Sequence, residues 1–174
     1  AATGNIHADQ IEQAGQYLDD IQNTAQESLA DMRLLIYELK PPILEKEGLI
    51  SALQHRLISV EDRVRIKTNI RTNLSRRLPS DMEEGLYQIA REALNNIIKH
   101  AHAKNISIHI GQETDTVSME ISDDGIGFDP ETARRQGCLG LVSMQEHAQS
   151  QGWKLDIESS PGNGTRIKVE IKQP

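Results

Sequence analysis

The sequence predicts an α+β sandwich with a helical extension in front. Two observations carry this. Apolar residues step by three or four from Ile11 to Leu39, and after Gly48 stretches of helical period interleave with stretches that alternate apolar and polar side chains. The resulting order is helix, helix, strand, helix, strand, strand, helix, strand, strand.

The extension comes first. Ile11, Ala14, Leu18, Ile21, Ala25, Leu29, Met32, Ile36 and Leu39 form a heptad-like seam of 29 residues, about 43 Å of helix. So narrow a stripe on so long a helix calls for a partner helix, from this chain or a second copy, although a core helix of a globular domain would show a related pattern. Pro41-Pro42 ends it, because proline lacks the amide proton and restricts the residue before it. A second helix is expected from Gly48 to about Asp62 on Leu49, Leu53, Leu57 and Val60. Val64, Ile66, Thr68 and Ile70 alternate with polar residues and read as a half-buried strand. Ser80 and Glu83 have the spacing of a capping box, opening a third helix that runs to about Ala101.

Ile106-Ile108-Ile110 and Val117-Met119-Ile121 alternate around a polar connection and read as antiparallel strands. An acidic glycine-bearing loop from Asp123 to Asp129 follows, then a loosely patterned polar stretch to Gly140 and a short helix from Leu141 to about Gln151. Trp153-Leu155-Ile157 and Ile167-Val169-Ile171, joined by Pro161-Gly162-Asn163-Gly164, close the chain as a strand pair.

Composition narrows the partners. The 174 residues carry a net charge of −7 and only 3% aromatic side chains, which disfavours a phosphate-backbone or base-stacking surface. The charge is unevenly spread: net −5 over residues 1–41, +4 over 42–80 and −6 over 81–174. One cysteine, Cys138, excludes an internal disulfide and a cysteine-based zinc site. No apolar run of membrane-spanning length and no signal-like start is present, so a soluble protein of a reducing compartment is expected.

Four local features could carry chemistry. Glu92, Asn96 and Lys99 stand at i, i+4 and i+7 and would share one face of the third helix. A carboxylate, an amide oxygen and an ammonium there suit a magnesium ion and its phosphates; a solvated polar face would look the same. Asp123-Asp124-Gly125-Ile126-Gly127-Phe128 ends a strand, where glycines let the backbone approach a flat ligand and a carboxylate can accept from an exocyclic amine; a plain turn is the alternative. Gly137 and Gly140 precede a helix N-terminus, a place for phosphate. Gly162-Asn163-Gly164-Thr165 reads equally as a hairpin turn.

In this order and spacing, the four resemble the nucleotide-binding domain shared by sensor histidine kinases, type II topoisomerase ATPase domains, HSP90-type chaperones and mismatch-repair ATPases, the GHKL superfamily with its Bergerat-type two-layer α/β sandwich of a mixed sheet on helices. The segment Glu92 to His100 matches the N box, Asp123 to Gly127 the first glycine box, Gly137 to Leu141 the second, and Gly162 to Thr165 the Gly-x-Gly-Thr turn. The likeness covers about residues 64–173. The run Leu39 to Leu53, with Pro41-Pro42 and Gly48, resembles the linker of two-component sensor kinases, and with Leu141–Ala148 and Ser160–Thr165 resembles the short-lid, nitrate-sensor-like subgroup.

That resemblance implies ATP and Mg²⁺ as cofactors and transfer of the γ-phosphate to a histidine, then to a response-regulator aspartate. Asp123 is implied to accept the adenine amino group, Asn96 to ligate Mg²⁺, Glu92 to reach the metal through a water or act as base, and Lys99 to meet phosphate oxygens. His100 and Leu141 are implied to complete the nucleotide site, Gly125 and Gly127 to admit the base, Gly137 and Gly140 to flex the lid, and Thr165 to bond near Asp123. Residues 1–41 are implied to be the second helix of a dimerisation and histidine-phosphotransfer region, 42–63 the linker and first helix of the catalytic domain, and 64–174 the ATP-binding domain. A homodimer through the first helix, a cytoplasmic location and an upstream region bearing any membrane anchor follow from the same likeness. None of the six histidines is followed by Asp or Glu, as the family's phosphoacceptor usually is. The chain therefore reads as a piece that begins after the acceptor helix. A GHKL-type ATPase and a non-catalytic dimerisation or scaffold module remain the alternatives.

Overall fold

The computed structural model describes residues 41–64, 66–135 and 138–172. The seam of residues 11–39, the long first helix and Gly137 lie outside the described residues. Pro42–Pro174 forms one compact unit.

The unit opens with a short helix, α1 (Pro42–Glu47), where the sequence suggests only a linker. Proline suits the first helical position, whose amide has no helical partner anyway. Helix α2 (Leu49–Val64) follows and buries Leu49, Ala52, Leu53, Leu57 and Val60. The helix takes Val64, which the alternation assigns to a strand. Val64 stands four residues after Val60, so it continues the helical period as well, and strand β1 (Lys67–Thr72) starts later than expected.

Helix α3 (Ser80–Asn96) begins where the capping box suggests but without that cap: Pro79 is the N-cap and no side-chain cap bond forms. Glu83, 3% exposed, is instead paired to Arg77 at 2.6 Å, and the same guanidinium donates to the Leu44, Glu45 and Lys46 carbonyls. A buried carboxylate gains more from a guanidinium than from one backbone amide. The pair thereby closes the C-terminal end of α1 onto the start of α3.

A π-helical turn, Ile97–Ala101, prolongs α3 and ends at His102 in the left-handed region. Strands β2 (Asn105–Glu113) and β3 (Thr116–Asp123) come next, then α4 (Pro130–Arg135), α5 (Leu139–Ser150), β4 (Lys154–Ser159) and β5 (Thr165–Lys172). Helix α4 falls in the stretch read as polar loop. Asp129 starts it, accepting from the Glu131 amide at 3.1 Å and the Thr132 hydroxyl at 2.6 Å, ahead of Pro130 at the first helical position. Helix α5 begins two residues earlier than expected.

The sheet runs β1-β2-β3-β5-β4, with β1 and β2 parallel and every other pair antiparallel, the mixed sheet expected. Its inner face is apolar: Ile106, Ile108 and Ile110, Val117, Met119 and Ile121, and Ile167, Val169 and Ile171 pack under α3. Its outer face is polar. There Arg166 pairs with Glu120, and Lys154 and Lys168 with Glu170. Among the described residues no helix is long and apolar enough to cross a membrane.

Candidate nucleotide site

Strand periodicity delivers the central carboxylate. Val117, Met119 and Ile121 face inward, and Asp123, two residues on, holds the same parity at the strand end. Its register partner Thr165 holds that parity on β5, one step before Ile167, Val169 and Ile171. A polar pair thus sits where the apolar layer stops, beneath the C-terminal half of α3. Over it opens a cavity of about 600 Å³ with a mainly apolar lining: Ala93, Ile97 and Ala101 from the helix, Ile121 and Ile167 from the sheet, and Ile126 and Phe128 from the loop. Small side chains on α3 leave that room, since Ala93 and Ala101 reach less far than the Leu86, Ile89 and Leu94 that fill the core elsewhere.

Of the expected residues, Asn96, His100, Asp123, Gly127, Gly140, Leu141 and Thr165 line the cavity. Gly125 stands behind it, with no room for a Cβ against the Ala101 carbonyl and the Asp123 carboxylate. Glu92 is half-buried beside it: a Cβ on Gly140 would run into Glu92 Oε1 and stand 3.3 Å from Asn96 Nδ2. The first turn of α5 therefore lies against the Glu92 and Asn96 side chains. Lys99 is not brought in; it is exposed and absent from the lining. Ala93, Asn96, Ile97, His100 and Ala101 follow one helical face at i, i+3, i+4, i+7 and i+8, and Lys99 stands to one side of it.

The two adjacent aspartates have opposite environments. Asp123 is 9% exposed and accepts from the Gly125 amide at 2.7 Å. Burial raises its pKa above the usual aspartate value; the Gly125 amide opposes that, Asp124 adds to it, and the Thr165 amide opposes it more weakly. Asp124 is exposed and its pKa is lowered, chiefly by hydrogen bonds from Asn105. Of the two, Asp123 is the one that lines the apolar cavity.

The loop stays open because two glycines accept positive φ. Gly127 has φ +59° and its Cβ position falls on the Ser160 carbonyl; Gly164 has φ +67° and its Cβ position falls on the Asp123 carbonyl. The loop and the hairpin turn are then stitched together: Gly162 donates to Ile126 O at 2.6 Å, and Phe128 to Ser159 Oγ at 2.9 Å. Ser159 Oγ also donates to Gly164 O and lies 3.1 Å from Thr165 Oγ1, so the Thr165 hydroxyl is shared with Ser159.

Residue-by-residue reading missed the outer wall. Asp129, Thr132 and Ala133 of the α4 region, with Cys138 and the 84%-exposed Leu139, complete the cavity. The Asp129-Pro130-Glu131 start signal could have revealed α4 but not that it flanks the site.

A buried carboxylate and a threonine in an apolar cavity, with an amide in its lining and a second carboxylate beside it, can hold a flat polar ring and a charged tail. Known proteins show the same arrangement of fold. Residues 81–174 match the model of the family described as histidine kinase-, DNA gyrase B-, and HSP90-like ATPase. The signal transduction histidine-protein kinase/phosphatase DegS of Brevibacillus brevis is 31% identical over 166 residues, 95% of this chain and 43% of that protein. Sensor histidine kinase YhcY of Bacillus subtilis is 33% identical over 156 residues, 90% of this chain and 40% of that protein. The chain thus spans under half the length of these relatives. The solved blue-light activated histidine kinase of Erythrobacter litoralis EL346 superposes with a TM-score of 0.61 at 20% identity, over 71% of this chain and 41% of that one, a likeness of fold. With more than half of its residues inside that family match, from α3 through β5, the chain belongs to the histidine kinase-, DNA gyrase B-, and HSP90-like ATPases.

Proposed function

We propose that this chain is the ATP-binding catalytic part of a two-component sensor histidine kinase, which passes the ATP γ-phosphate to a histidine and thence to a response-regulator aspartate. The observation that carries it is the buried, inward-facing Asp123 in an apolar cavity that Asn96 also lines. Histidine kinases among the relatives support the choice of this branch of the family.

Asp123 accepts a hydrogen bond from the adenine amino group, and Ile97, Ile121 and Ile126 cover the ring. Gly125 and Gly127 keep side chains out of its way. The Glu92 carboxylate and the Asn96 side-chain amide lie near one point, and with its amide turned to present the oxygen Asn96 would join Glu92 in holding Mg²⁺, which prefers oxygen and binds through few protein ligands plus phosphates. Bound there, Mg²⁺ supplies neutralisation of phosphate charge. Asn96 and Glu92 orient that end of the nucleotide, and His100 and Leu141 border it. Gly140, with Gly137, gives the lid its play. Lys99 reaches phosphate oxygens only from outside the lining, by extending its flexible stem. Phosphoryl transfer depends on such positioning more than on covalent help from the protein.

Residues 1–41, with their apolar seam, form the second helix of a dimerisation region in this reading; 42–63 link it to the catalytic domain of 64–174. The parent acts in the cytoplasm as a homodimer with a response regulator as partner. This stretch binds nucleotide and does not phosphorylate itself, because none of its histidines is followed by an acidic residue.

Calorimetric titration with ATP and ADP, with and without Mg²⁺, tests the proposal. Binding that strengthens with Mg²⁺, and an Asn96→Ala variant that keeps only the metal-independent part, is the expected result. No binding by a folded chain would overturn it.

A further inference from the structure

The molecule holds two aspartates side by side, and the catalytic reading uses only Asp123. Asp124 turns the other way. Its Oδ1 accepts from the Lys104 amide at 2.7 Å and the Asn105 amide at 2.8 Å, and its Oδ2 accepts from Asn105 Nδ2 at 2.6 Å. Residues 102–105 are the turn by which the chain leaves the Asn96 helix, through left-handed His102, and enters β2. The Asp123 strand pairs with β2 only as far as Ile106, so beyond that step the side chain of Asp124 carries the connection. Two main-chain bonds run beside it, Ile126 N to Ala101 O at 2.8 Å and Asp124 N to Asn105 O at 3.4 Å.

We infer that Asp124 is a positioning residue: it locks the exit turn of the Asn96 helix to the strand end bearing Asp123, and so fixes the separation of the two cavity walls. Its consequence for nucleotide affinity rests on the function proposed above. The lock works through acceptor geometry, two amides on one oxygen and an amide nitrogen on the other. The lowered pKa of Asp124, caused first by the Asn105 side chain, keeps those acceptors charged over the working range. Gly125 must follow because the 101–105 turn comes so close that any Cβ there would meet the Ala101 carbonyl.

Hydrogen exchange of the ligand-free chain, read at the Gly125 and Ile126 amides, tests the lock without reference to nucleotide. Asp124→Ala is expected to speed both by about tenfold or more and to weaken Mg·ADP binding by about tenfold. Asp124→Asn keeps both: its Oδ1 accepts the two amides, and its Nδ2 meets the Asn105 oxygen once that amide turns over. Asn105→Asp sets two carboxylates face to face and is expected to reproduce the loss, and adding Asp124→Asn to it restores the donor and the protection. Exchange in Asp124→Ala that matches the unaltered chain would overturn the inference. So would an Asp124→Asn variant as impaired as Asp124→Ala, which would make the charge and not the bonds the active feature, or a double variant that is not restored. If the unaltered chain fails to bind Mg·ADP, the proposed function falls, while the exchange data still decide whether Asp124 is the lock.

Discussion

Replacing Asp123 with Asn separates recognition from stability at one atom. In the ligand-free chain the carboxylate receives the Gly125 amide at 2.7 Å while burial raises its pKa. Asparagine keeps the shape and can keep the Gly125 bond through its Oδ1. It puts an NH₂ where the second oxygen stood, so an adenine amino group loses a charged acceptor and meets a donor. A hydrogen bond to a charged group contributes about 1.5–3 kcal/mol, so the ADP dissociation constant should rise roughly 10- to 150-fold. Stability should move the other way. With its folded pKa above the unfolded one, Asp123 makes the native state less stable as pH rises from the unfolded value through the raised folded value. Asp123→Asn removes that loss, so its melting temperature at neutral pH should equal or exceed that of the unaltered chain, with the difference disappearing in acid where Asp123 is protonated. ADP binding by the unaltered chain should weaken as pH falls through the same raised value. Calorimetric titration and thermal melts across pH measure both. Undiminished ADP affinity would refute the acceptor role, and a large drop in melting temperature would make Asp123 a structural residue.

Other perturbations test the frame around it. Gly164→Ala should lower stability by about 1–2 kcal/mol for the left-handed backbone alone, and should weaken ADP binding because its Cβ would press on the Asp123 carbonyl; a chain that melts and binds normally would contradict this. Glu83→Gln leaves Arg77 without its buried charged partner, so the melting temperature should fall and α1 amides should exchange faster. Met144, 2% exposed on α5, should cost about 2–5 kcal/mol on truncation to Ala in urea unfolding.

Much of the fold is legible because strands and amphipathic helices leave periodic marks. The alternation Val117-Met119-Ile121 already places Asp123 on the inner face, and the helical spacing of Glu92 and Asn96 puts both side chains on the side of the helix that meets Gly140. Lys99 has the helical spacing of Glu92 and Asn96 but stands to one side of the Ala93, Asn96, Ile97, His100 and Ala101 face that lines the cavity, and which of the two faces meets the cavity is decided by how the helix sits on the sheet. The capping box failed for a non-local reason: the partner that claims Glu83 lies before the helix, and its guanidinium is held by carbonyls more than thirty residues away. Helix α4 was too short for periodicity, although Asp129-Pro130 carried a start signal. The apolar wall from Ile126, Phe128 and Ala133 depends on how loop and helix come to border the cavity, which no local pattern encodes.

The central claim is that nucleotide lies in this cavity with its base at Asp123. Backbone amide resonances followed during titration with Mg·ADP test it most directly. The account predicts shifts concentrated at Asn96, His100, Asp123, Gly127, Leu141 and Thr165, with the Lys154, Lys168 and Glu170 face of the sheet unmoved. Shifts centred on that outer face, or none in a folded chain, would contradict it.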